Sequence, residues 1–125
     1  MRLRMNAWLL IAAINGFLAV AAGAFAAHGL QGRLDAHALE IFNKGAQYQM
    51  YHALAIGIAA FAARQSSGAN IAAIFFLAGI VLFSGSLYAL ALTGVRGLGI
   101  VTPFGGLSFL IGWAALAWAA SKRIT

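Results

Sequence analysis

A chain of 125 residues that is 63% hydrophobic and only 8% charged departs far from the makeup of a soluble domain, and an integral membrane protein is expected. Eight Lys/Arg against two acids give a net charge of +6, yet the basic residues sit almost entirely between apolar runs, which argues for topology and lipid headgroup contact and against nucleic acid. The absence of cysteine excludes disulfides, thiolate catalysis, cysteine-ligated zinc and iron–sulfur clusters.

The N-terminus, MRLRM followed by NAWLLIAAINGFLAVAAGAFAA, has the basic start and the Ala-x-Ala (Ala24 to Ala26) of a signal peptide. Its apolar stretch is about 20 residues, enough to cross the bilayer, so a retained first helix is expected. Apolar spans are predicted at about 7–27, 45–63, 71–93 and 103–120. None shows the alternation of a membrane β-barrel, so the predicted fold is all-α, an integral membrane four-helix bundle forming one domain over residues 1–125.

The joints are GLQGRLDAHALE, RQSSGAN and TGVRGLGIVTP. Residues 37–44 are predicted to extend the second span as a wet helix, with Glu40 and Lys44 spaced i,i+4 to pair on its exposed face. Thr102 before Pro103 is expected to cap the fourth helix. Small residues that let helices approach in lipid recur at Ala19, Gly23 and Ala27, and at Ser108 and Gly112, and are read as bundle packing.

Counting basic residues gives orientation. Arg2, Arg4, Arg64, Lys122 and Arg123 share one side; Arg33, Lys44 and Arg96 share the other with Asp35 and Glu40. The richer side is expected to be cytoplasmic, and with it both termini.

Polar groups collect toward the other leaflet. With Lys44 as the outer anchor, His52 lies about 12 Å down at 1.5 Å per residue, and Gln47, Tyr48 and Gln49 lie about 5 to 8 Å down. Ser84, Ser86 and Tyr88 fall about 7 to 14 Å beneath the same surface. The inner half contributes little besides Asn15. Gly45, Gln49, His52 and Ile56 share a helix face with Tyr48 flanking. A ligand-binding cavity is therefore expected from His28, Tyr48, Gln49, His52, Ser84, Ser86, Tyr88 and Thr102, with Gly105 and Gly106 adding exposed N–H groups. The competing reading is that these groups are interhelical hydrogen-bond glue.

Other chemistry finds less support. A serine hydrolase lacks its acid within the spans, because Asp35 and Glu40 lie in the joint between the first two apolar runs. The three histidines match no standard zinc spacing, so no metal site and no cofactor are assigned. Transport is disfavoured by the lack of a carboxylate inside any span.

The segments GAFAAHGL (Gly23 to Leu30), YQMYHALA (Tyr48 to Ala55), GSLYALALTG (Gly85 to Gly94) and TPFGG (Thr102 to Gly106), in this order, resemble the small four-span proteins grouped as domain of unknown function 423. Bacterial YgdD and YwdK belong to that family, and the eukaryotic transmembrane protein 256 is a relative. The resemblance implies a multi-pass bacterial inner-membrane protein and supplies no activity. The expected function is non-enzymatic: binding of a small amphiphile, a lipid headgroup or a partner helix in an outward-facing pocket. The alternatives are a redox accessory holding quinone or haem between His28 and His52, and a structural subunit of a membrane complex. Expected partners are membrane lipids, with other membrane proteins or self-association as further candidates.

Overall fold

A computed structural model describes residues 6–124, apart from the side chains of Arg123 and Ile124. Arg2, Arg4 and the Arg123 side chain, which enter the charge count above, lie outside the described residues. The helices are α1 (Ala7–His28), α2 (Ala36–Ala62), α3 (Ala69–Gly79), α4 (Gly85–Thr93) and α5 (Thr102–Ile124). A π-helical turn, Ile80–Ser84, joins α3 to α4 in one rod, and a 3-10 turn, Arg96–Ile100, leads into α5. Four long helices result, as the apolar runs predict.

Local chemistry sets the ends. The Asn6 side chain accepts the Leu9 N–H at 3.0 Å to start α1, and Asp35 Oδ1 accepts the Ala38 N–H at 2.8 Å to start α2. That aspartate cap begins α2 well before its apolar stretch, and the predicted wet extension is its first turns. Glu40 and Lys44 are exposed there, and no ion pair joins them. Gly94, at φ 73°, ends α4 with its N–H on the Leu90 carbonyl, a left-handed turn that glycine adopts without strain. Thr102 is not the cap expected of it. The Gly105 N–H reaches the Val101 carbonyl, so the helix starts one residue earlier and the Thr102 hydroxyl is turned to Ser86 instead.

Among the described residues three segments are long and apolar enough to cross a membrane: Ala7–His28, Ala69–Thr93 and Arg96–Lys122. The fourth helix, α2, carries the buried Gln49 and His52. α1 packs mainly along α2, α3 along α5, and α2 against the α3–α4 rod, while only a thin contact joins α2 to α5. Ala55 and Ala59 of α2 meet Ala72 and Ala73 of α3 in the main core with Ile56 and Phe76. A second, smaller core of Ala26, Leu30, Phe42 and Ala91 closes the end near the α1–α2 joint. Outward faces are apolar, with Phe17 75% and Leu110 68% exposed, as a hydrocarbon solvent permits.

Glycine and serine bring α5 onto the rod. A Cβ on Gly112 would lie 2.6 Å from the Phe76 ring, one on Gly79 would enter the Phe109 ring, and one on Gly105 would lie 2.7 Å from the Phe83 Cα. Between them Ser108 Oγ donates to the Phe75 carbonyl at 2.7 Å. On α1 the packed face is Ala12, Asn15, Ala19 and Ala26. Of the predicted stripe only Ala19 faces the bundle. Gly23 opens onto no neighbour within 4 Å and Ala27 is exposed, because the helix is phased by Asn15.

Candidate functional site

Most of the residues expected to line one cavity fall into three separate sets of hydrogen bonds. In the first, Tyr88 OH donates to Gln49 Oε1 at 2.7 Å, Gln49 Nε2 donates to Asn15 Oδ1 at 3.0 Å, and Asn15 Nδ2 donates to the Ile11 carbonyl at 2.9 Å. This relay ties α4, α2 and α1 together. It makes Asn15 level with Gln49, near the middle of α1, and so deeper than a count from Lys44 places Gln49. Asn15 was separable from the cluster only while depth was measured from that lysine.

In the second group Ser84 Oγ donates to the Gly45 carbonyl at 2.7 Å, and Ser86 Oγ meets Thr102 Oγ1 at 2.6 Å. The π-helical turn allows both contacts. By adding a residue to one turn it shifts α4 in phase relative to α3, with the Gly85 N–H bonded to the Ile80 carbonyl. Gly105 seats against the Phe83 backbone with no room for a Cβ, whereas a Cβ on Gly106 would make only an ordinary contact with the Phe83 ring.

The third group belongs to His52. Its Nδ1 donates to the Tyr48 carbonyl at 2.8 Å and its Nε2 accepts the Trp113 indole N–H at 3.2 Å. Those partners assign a neutral ring with its proton on Nδ1. The ring also stacks on Phe109, centroids 3.5 Å apart at 5°. Tyr48 stands half-buried beside it, 4.8 Å from the Phe83 ring. Trp113 and Phe109 were not foreseen as partners, since one face of α2 gives no sign of which helix it will meet.

Among the described residues no buried side-chain nitrogen or oxygen lacks a partner. The polar groups are satisfied by the protein itself. His28 joins none of the three groups; it is exposed at the end of α1, about 24 Å from His52 along the bundle at 1.5 Å per residue. One haem or quinone does not bridge that separation.

Open space lies at the α1–α2 joint instead. A cleft of about 680 Å³ opens there between the joint, the first turns of α2, the end of α4 and the 3-10 turn. Arg33, Asp35, His37 and Arg96 line its polar side, and Leu34, Ile41, Leu90 and Ala91 its apolar side. The Asp35 carboxylate is engaged in capping α2, whereas among the described residues neither guanidinium has a hydrogen-bond or ion-pair partner. Sequence reasoning passed over these residues as loop, although Arg33 and Arg96 had been counted on the same side. This size suits a small ligand.

The chain belongs to the family described as protein of unknown function (DUF423), whose model matches residues 22–106. It is 46% identical over 123 residues to the UPF0382 membrane protein YwdK of Bacillus subtilis, covering 96% of this chain and 100% of that one. A UPF0382 membrane protein of Haemophilus influenzae is 46% identical over 118 residues, 94% of this chain and 95% of the relative. The UPF0382 membrane protein SAB0533 of Staphylococcus aureus is 44% identical over 119 residues, covering 94% and 98%. No solved structure matches. The family resemblance read from the four motifs holds, and with it the reading as a small membrane protein.

Proposed function

We propose that this single four-span domain lies in the bacterial inner membrane with both termini cytoplasmic, and that it binds a small amphiphile in the cleft at its outward end. One observation carries the reading: among the described residues the buried polar side chains are all satisfied internally, while the cleft brings two arginines without partners beside an apolar wall. An amphiphile has that same division, a polar end for Arg33 and Arg96 and an apolar end for Ile41 and Leu90. Gln49, His52, Ser84, Ser86, Tyr88 and Thr102 then hold the helices that form the walls. Arg33 and Arg96 face outward because Arg64 and Lys122 accompany the N-terminal arginines on the opposite side.

The chain has no cysteine, so single-cysteine variants report position directly. In intact spheroplasts an impermeant maleimide is expected to label Ala38→Cys in the cleft and to leave Ser66→Cys unlabelled until the membrane is opened. After delipidation, labelling of Ala38→Cys should speed several-fold and slow again when membrane lipid is restored. Labelling of Ser66→Cys from outside would invert the orientation. A rate indifferent to lipid would leave the cleft without an amphiphile.

A further inference from the structure

The cleft's lining bears on the kind of amphiphile, an inference that rests on the amphiphile reading just given. Two arginines, Arg33 in the α1–α2 joint and Arg96 in the 3-10 turn, line one space from different elements. Among the described residues only one carboxylate, Asp35, lines the same space, and it already accepts the Ala38 N–H at 2.8 Å. The local charge is therefore positive and directed at nothing in the described chain. Guanidinium presents paired N–H donors that match the oxygens of a phosphate, and two of them from separate elements can hold different oxygens of one tetrahedral anion. Beside them Leu34, Ile41 and Leu90 supply an apolar wall that water does not fill favourably.

We infer that the cleft is a binding site for the anionic phosphate headgroup of a membrane lipid, held between Arg33 and Arg96, with the start of the acyl region against Ile41 and Leu90. A free phosphate would satisfy the same two arginines, but it would leave the apolar wall uncovered. The wall favours the lipid as source. Polar groups at the opposite end of the bundle, around Arg64, take no part.

The test uses the full chain, purified and delipidated in nonionic detergent, with bound lipid counted by native mass spectrometry. Phosphatidylglycerol and phosphatidylcholine of identical chains, glycerol phosphate and inorganic phosphate are the probes. Phosphatidylglycerol should bind about tenfold or more tighter than phosphatidylcholine, given the attraction of two arginines for an anionic lipid. The Arg33→Gln/Arg96→Gln pair should reduce it to the phosphatidylcholine level, and Arg64→Gln should leave it unchanged. Both arginines are exposed, so the pair is expected to fold, and an unchanged unfolding curve checks this. Equal binding of both lipids, indifferent to the arginine pair, would overturn the headgroup assignment and leave the amphiphile reading standing. No retained lipid of either kind would overturn both. Displacement of phosphatidylglycerol by inorganic phosphate at matching concentration would overturn the lipid as source, making the site one for a soluble anion.

Discussion

Replacement of Gly105 by alanine is expected to destabilise the bundle by roughly 3 kcal/mol, while the same change at the neighbouring Gly106 stays near wild type. The two glycines are adjacent in sequence and both open α5, so helix propensity is nearly matched, with Gly105 buried and Gly106 half-buried. They differ in what a methyl group would meet. At Gly105 it would lie 2.7 Å from the Cα of Phe83 and against that residue's backbone nitrogen, atoms in the π-helical turn that no rotamer change moves away. At Gly106 the nearest atom is Phe83 Cδ2 at 3.9 Å, an ordinary contact. Pushing α5 off the rod would also stretch the Ser86–Thr102 and Ser108–Phe75 hydrogen bonds, which tie the same pair of elements. Unfolding by SDS titration in mixed micelles reads the difference. Equal stability of the two variants would mean that α5 does not seat on Phe83.

Gln49→Leu should cost roughly 2 kcal/mol, more than the loss of any one interhelical hydrogen bond in the bundle. Gln49 is the middle member of a relay, so its removal forfeits two bonds and strands two groups, the Tyr88 hydroxyl and the Asn15 carbonyl oxygen. The Tyr88→Phe variant removes only the terminal donor and leaves Gln49 its bond to Asn15, so a smaller loss is expected. Combining Gln49→Leu with Tyr88→Phe should cost clearly less than the sum of the two, since the second change removes a group the first had stranded. Additive losses in the same SDS titration would show that the relay does not act as a unit.

The sequence exposed the helices well and their contacts unevenly. Each apolar run is long enough to be recognised alone, and Asn6, Asp35 and Gly94 mark helix ends by chemistry local to a few residues. Ser108 and Gly112 were legible as packing residues because seating one helix on another in lipid needs small side chains. The cavity was harder to judge. Helical phase correctly turned Gln49 and His52 inward, but it does not say whether the space they face is empty or filled, and the fillers, Asn15, Phe109 and Trp113, come from other helices. The π-helical turn adds to this, since a regular period carried from Ile71 to Thr93 drifts in phase across Ile80–Ser84. The cleft at the α1–α2 joint escaped notice for a different reason. Arg33 and Arg96 are more than sixty positions apart, in two joints whose sequences give no sign that they fold over the same end of α2 and α4.

The central claim is that the ligand sits in the outer cleft and the buried polar residues are structural. The most direct measurement is native mass spectrometry of protein gently extracted from its own membrane, comparing wild type, His52→Phe and the Arg33→Gln/Arg96→Gln pair. His52→Phe keeps the stack on Phe109 and removes the acceptor for Trp113, so it perturbs the buried group without opening the cleft. A defined added mass that persists in His52→Phe and disappears in the arginine pair is the predicted result. A mass lost from His52→Phe and retained by the arginine pair would contradict it, moving the ligand into the bundle beside His52.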